Sequence, residues 1–68
     1  MRINDILKKE VLDENIKILG KVEDIIVDPD TLEITDFVFK RSTFSSGEDV
    51  VPVDMIKVIG DKIILKSL

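Results

Sequence analysis

The chain has no cysteine, histidine, tryptophan or tyrosine, and only three phenylalanines, three glycines and two prolines in 68 residues. Each gap excludes something. Without cysteine no disulfide can staple the fold, and without cysteine or histidine a zinc site would need carboxylates alone, which zinc rarely accepts. The thiolate nucleophile and the imidazole base are missing too, so catalysis would have to rest on carboxylates, lysines or hydroxyls. We therefore expect no enzyme, no cofactor and no metal centre. No apolar run approaches the roughly 20 residues of a membrane-spanning helix. The opening Met1-Arg2-Ile3-Asn4-Asp5 gives way to mixed charge instead of the apolar core of a signal peptide. A cytoplasmic protein is expected.

What is present is a charged and strongly aliphatic chain. Fourteen acidic residues face ten basic ones, for a net charge of −4. The acids run from Asp5 to Asp61 with no acidic tail, as on a solvated surface. That balance disfavours nucleic acid, whose affinity comes mainly from clustered Lys and Arg releasing counterions. The only adjacent basic pairs are Lys8-Lys9 and Lys40-Arg41, which one face of a fold can still bring together. The wealth of Ile, Lys and Glu points to a heat-adapted source. A single domain over residues 1–68 is expected, and a chain of this size buries only about 60% of the surface its unfolded form exposes. Its stability should be thin, leaving good packing and self-association as remedies.

Short β-prone runs alternate with turn chemistry at intervals of about eight to twelve residues, the pattern of a small barrel or sandwich. Val11-Leu12 is a first strand, closed by Asp13-Glu14-Asn15, where Asn15 can take a left-handed conformation. Strands over 21–27 and 33–40 flank Asp28-Pro29-Asp30-Thr31-Leu32. There Pro29 suits the second position of a type I turn and Asp28 can bond the turn backbone, so a hairpin is predicted. Residues 41–49 form a polar loop around one aromatic, Phe44. Val50-Val51 resumes a strand that Pro52 must end or place at an edge. Asp54 can cap a helical turn through Met55-Ile56. Two further strands, 57–59 and 63–65, enclose Gly60-Asp61-Lys62 as a second hairpin. Near the N-terminus, Ile3, Ile6, Leu7 and Val11 have helical spacing, and Asn4 can cap a turn that lays Ile6 and Leu7 over one end of the barrel.

Two irregularities carry information. Val22 and Ile25 are three apart within one strand, so a bulge near Glu23-Asp24 is needed to point both inward. Ile34 and Phe37 repeat that offset on the next strand. Asp24, beside the suspected bulge, is expected to hold the kink by accepting backbone hydrogen bonds. Alternation places Phe37 and Phe39 on one face and Val38 on the other, and one small barrel should be unable to hide all three. An apolar interface is expected from Ile26, Phe37, Val38 and Phe39, with Phe44 as an anchor from the loop.

The series Leu19-Gly20-Lys21-Val22-x-Asp24-Ile25, Val27-Asp28-Pro29-x-Thr31, Val51-Pro52-Val53-Asp54 and Val58-Ile59-Gly60-Asp61 resembles the PRC-barrel domain across nearly the whole chain. Asn15 departs from the glycine many members carry, and Ile16 with Ile18 makes the next stretch unusually apolar. The resemblance implies a mostly β fold, a small PRC-type β-barrel of about five to six antiparallel strands with one or two short helical turns. It also implies a docking module. Members include the cytoplasmic domain of the photosynthetic reaction-centre H subunit, the C-terminal half of the ribosome-maturation factor RimM, and stand-alone archaeal proteins. Some of the archaeal proteins are cell-division adaptors that bind the membrane anchor SepF.

Alternative chemistry finds little support in the residues. Asp28-x-Asp30-x-x-Glu33 imitates the start of a calcium loop but has Glu33 and Phe39 where glycine and a bidentate glutamate belong. The Ser42-Thr43-Phe44-Ser45-Ser46-Gly47 stretch lacks the glycines and the Lys-Ser/Thr pair of a phosphate-binding loop. The expectation is a non-enzymatic protein-protein adaptor, homodimeric, of the archaeal cell-division type. The alternatives are a RimM-like role in ribosome maturation and small-ligand or metal binding.

Overall fold

Tight turns and bulges set the order of this fold, and six strands result: β1 (Glu10–Leu12), β2 (Ile18–Val27), β3 (Ile34–Lys40), β4 (Glu48–Pro52), β5 (Ile56–Ile59) and β6 (Ile63–Leu65). The structure is a computed structural model and describes residues 1–41 and 47–66. A one-turn helix α1 (Ile3–Ile6) precedes β1, and a 3-10 turn (Val53–Met55) joins β4 to β5. The strands form one sheet in the order β4-β3-β2-β1-β6-β5, so β4 and β5 are its edges. Residues 42–46, which carry most of the expected polar loop and Phe44, lie outside the described residues.

The predicted hairpin between β2 and β3 forms as its residues require. Asp28 Oδ1 accepts the Asp30 N–H at 2.8 Å, and the Asp28 carbonyl accepts the Leu32 N–H at 2.7 Å. Leu32 takes the left-handed conformation (φ 62°) that closes the loop. Both three-residue offsets are bulges. Val22 pairs with Phe39 and Asp24 with Val38, leaving Glu23 as the extra residue on β2. Ile26 pairs with Asp36 and Val27 with Ile34, leaving Thr35 extra on β3. Val22, Ile25, Ile34 and Phe37 thereby all join the interior. Asp24 Oδ1 accepts the N–H of Ile25 at 2.7 Å beside the first bulge.

Several local expectations need correction. About five to six antiparallel strands are expected from the resemblance, yet β1 runs parallel to β6, with Val11 opposite Ile63 and Leu12 opposite Ile64. The left-handed residue after β1 is Ile16 (φ 64°), not Asn15, because Asp13 Oδ1 takes the N–H groups of both Asn15 and Lys17 and shifts the turn by one. Asn4 lies inside α1 instead of capping it. Arg2 holds the cap position, its N–H bonded to Asp5 Oδ2 at 2.9 Å. Asp54 likewise sits within its turn, after Pro52 at the cap. Pro52 ends edge strand β4, a position where a residue without a backbone donor is tolerated.

The core is a single cluster of Ile6, Val11, Val22, Phe37, Phe39 and Ile63. Leu7, Leu19, Ile25, Ile34, Val51 and Leu65 pack around it half-buried. α1 thus does what its spacing predicted, with Ile6 buried and Leu7 beside it. The largest correction concerns β3. Phe37, Val38 and Phe39 are only 4%, 7% and 5% exposed, so one strand does bury all three. The two phenylalanines fill the interior. Val38 lies on the opposite face by alternation, flanked by Asp24 on β2 and Val50 on β4.

Candidate functional site

The register fixes which side chains share the outer face of β2, β3 and β4. Across it run three lateral rows: Lys21, Lys40 and Glu48; Asp24, Val38 and Val50; and Ile26, Asp36 and Pro52. Val50 is 57% exposed and Ile26 is 40% exposed, and between them lies the covered Val38. Of the expected interface residues, only Ile26 is therefore described as an exposed surface. Phe37 and Phe39 are interior support, Val38 is covered on the outer face, and Val50 is the exposed residue that sequence reasoning missed. The signal was the lateral pairing of Val38 with Val50, which becomes visible only once the β3–β4 register is known.

Two concave surfaces adjoin this face. The larger, about 510 Å³, lies between β4, the turn after β1 and the end of β6. Its acidic groups are already engaged. Asp13 closes its own turn, Glu14 pairs with Lys57, and Asp49 is gripped by Arg41 through Nε at 2.5 Å and Nη2 at 2.8 Å. That two-pronged grip holds the Asp49 carboxyl below the usual carboxylate range and raises the arginine. Among the described residues no group of three or more Asp and Glu is arranged to hold a metal ion.

The second groove, about 430 Å³, is different in charge. Lys8, Lys21, Lys40 and Arg41 border it, Leu7, Ile18 and Val22 give it apolar walls, and Glu23 is its one acid. Of the two basic pairs noted in the sequence, Lys8 of the first and both Lys40 and Arg41 of the second are thus drawn together, while Lys9 turns away to bond the Gly60 carbonyl. Lys21 completes the ring because it stands directly opposite Lys40 in the β2–β3 ladder. Elsewhere Lys62 bonds Glu10 and holds that carboxyl below the ordinary range. Among the described residues Lys8, Lys21 and Lys40 have no such carboxylate partner within 4.0 Å.

Among the described residues, no helix is long and apolar enough to cross a membrane. No curated protein matches the chain in sequence. Among solved structures, the chain is similar to a putative 16S ribosomal RNA processing protein RimM from Pseudomonas aeruginosa. The likeness has a TM-score of 0.75 at 14% identity and covers 98% of this chain but only 43% of that one. At that identity the likeness concerns the fold, and this chain spans less than half the length of its neighbour. The profile of the PRC-barrel domain matches residues 1–68. With its six-stranded sheet, paired bulges and Asp28-Pro29 hairpin, the chain belongs to the PRC-barrel domain family.

Proposed function

We propose that this chain is a non-enzymatic protein-docking module. The observation that carries the reading is the pair of exposed apolar residues on the outer face of β2, β3 and β4, where Val50 and Ile26 stand in solvent on a sheet backed by the core. Scattered single apolar residues need no explanation, but register places these two around Val38 and beside Pro52 on one face. The polar groups support the same reading. Among the described residues no charged or polar side chain is buried, and the shifted carboxyls, Glu10 and Asp49, are each explained by a structural ion pair. An adaptor needs no more than a stable scaffold and a surface of this kind.

Two finer assignments differ in partner. A cell-division adaptor would dock on a membrane-anchored division protein. A ribosome-assembly factor would dock on a ribosomal protein, a reading supported by fold similarity to the RimM structure. The test is affinity capture of tagged protein from its source organism, beside the Val50→Asp variant. The docking reading expects a stoichiometric protein that is retained by the parent and lost by the variant, while circular dichroism of the two is the same. Recovery of a ribosomal protein would select the second assignment. Capture of RNA alone, with no protein, overturns the docking reading.

A further inference from the structure

We propose that the groove bordered by Lys8, Lys21, Lys40 and Arg41 receives an acidic segment of a partner protein, with an apolar side chain of that segment seated against Leu7 and Ile18. The proposal rests on the docking reading above and adds the chemistry of the partner. A chain of net charge −4 gathers four of its ten basic residues around one concavity, with Glu23 as the only acid there. Complementarity of this kind steers encounter and fixes register.

The arrangement is costly without an occupant. Lys21 and Lys40 are direct cross-strand neighbours, and like charges so placed repel. Glu10 flanks Lys21 and Glu48 flanks Lys40 on their outer sides and offset part of that repulsion, yet among the described residues neither lysine reaches a carboxylate within 4.0 Å. A carboxylate between them would turn the repulsion into attraction. Lys8 adds a second cost, for it is held at φ 71°, a left-handed conformation that a non-glycine residue rarely adopts. Two backbone bonds keep it there: the Lys8 N–H donates to the Val22 carbonyl at 2.7 Å, and the Val22 N–H donates to the Lys9 carbonyl at 3.0 Å. Lys8 is thereby fixed at the rim of the groove. Strain of this kind collects where a ligand is gripped. Arg41 is already committed to Asp49, so the three lysines are the receiving groups.

Apolar walls decide between classes of anion. Ile18 is 59% exposed and Leu7 half-buried, surfaces that a phosphate backbone would leave unused. Among the described residues no aromatic lines the groove to stack a base, and stacking is how single strands are held without sequence readout. An acidic peptide with an apolar anchor uses both features.

The experiment is a titration of isotope-labelled protein with a short peptide of alternating Glu and Leu, followed by amide NMR. A peptide of alternating Lys and Leu and a short oligouridylate serve as comparators. Shifts are expected at residues 8, 18–23 and 40–41 with the acidic peptide only. Lys21→Glu sets an opposite charge against Lys40 and a like charge against Glu10, two effects that oppose each other, so it should remain folded by circular dichroism while weakening the peptide about tenfold, an effect of ~1.4 kcal/mol. Lys66→Glu changes net charge equally but lies off the groove, and should bind as the parent does. No shift at these residues, equal binding by Lys21→Glu, equal weakening by Lys66→Glu, or tighter binding of oligouridylate at the same residues would each overturn the proposal. If the peptide fails while a captured protein is still lost on Val50→Asp, the groove assignment falls and the docking reading stands. If no protein is captured at all, both fall.

Discussion

Gly20 sits where the backbone of β3 comes closest to β2. A Cβ built on it would stand 2.1 Å from the Lys40 carbonyl oxygen and 3.0 Å from Phe39 Cδ2. The obstacle is backbone and core ring, neither of which yields as a flexible side chain would. Gly20→Ala should therefore destabilise by about 1–3 kcal/mol, the usual cost of overpacking. A urea midpoint unchanged from the parent would show that β3 can retreat freely. Ile16 presents the opposite case. It is 76% exposed, so it gains little from burial, yet it is β-branched and held at φ 64°. Its N–H donates to the Asp13 carbonyl at 3.0 Å, a bond any residue but proline retains. Ile16→Asn should raise stability by about 1 kcal/mol, because asparagine tolerates that conformation better. A lower melting temperature would mean that the isoleucine side chain makes contacts that outweigh the strain. The sequence already held half of this answer, since Asn15 and the apolar Ile16 were singled out. The shift by one residue was set by the Asp13 carboxylate accepting two amides, which spacing does not show.

Of the three ion pairs that tie elements together among the described residues, two make an acid-sensitive contribution. Arg41–Asp49 joins the end of β3 to β4, and Lys62–Glu10 joins the β5–β6 turn to β1. Hydrogen bonding by the cations holds both carboxyls below their ordinary range in the folded protein. Their contribution is thus complete above the unfolded-state carboxylate pKa, about 4, and is lost as pH falls through the lower folded value. Both pairs are solvent-exposed, so the effect is small and screened by salt. The urea midpoint should fall between about pH 6 and about pH 3, less steeply in high salt, and less steeply again in a Glu10→Gln, Asp49→Asn double variant. An identical slope in the variant would assign the acid loss to other groups. At this scale the strands were largely legible, because local patterns encode them: Asp28-Pro29 for the hairpin, and the Val22/Ile25 and Ile34/Phe37 offsets for the bulges. The parallel β1–β6 pair was not. Its partners Val11 and Ile63 are 52 positions apart, and no local pattern specifies a pairing across that separation. The groove was half legible for the same reason, since Lys8-Lys9 and Lys40-Arg41 stood out while Lys21 joined them only through register.

A single cluster of six buried residues holds the molecule together, without a disulfide. A core of this size rarely supplies more than ~3–5 kcal/mol, so apolar surface left outside is surface that association can use. The face around Val50 and Ile26 is the part of the described surface best placed for a second copy. It is formed by β2, β3 and edge strand β4, and a two-fold axis there lets one patch serve both partners. It is not the patch drawn from sequence, because Phe37, Val38 and Phe39 are spent on the protein's own burial. We therefore expect a homodimer closed through this face in the absence of a partner protein, which would displace the second copy on docking. Sedimentation from low-micromolar to near-millimolar loading should show mass moving from monomer to dimer. Val50→Asp would bring two carboxylates toward the axis and should weaken association by about 1 kcal/mol or more. Monomer mass at every loading would end the dimer expectation. An unchanged dimer in Val50→Asp would instead move the contact away from β4.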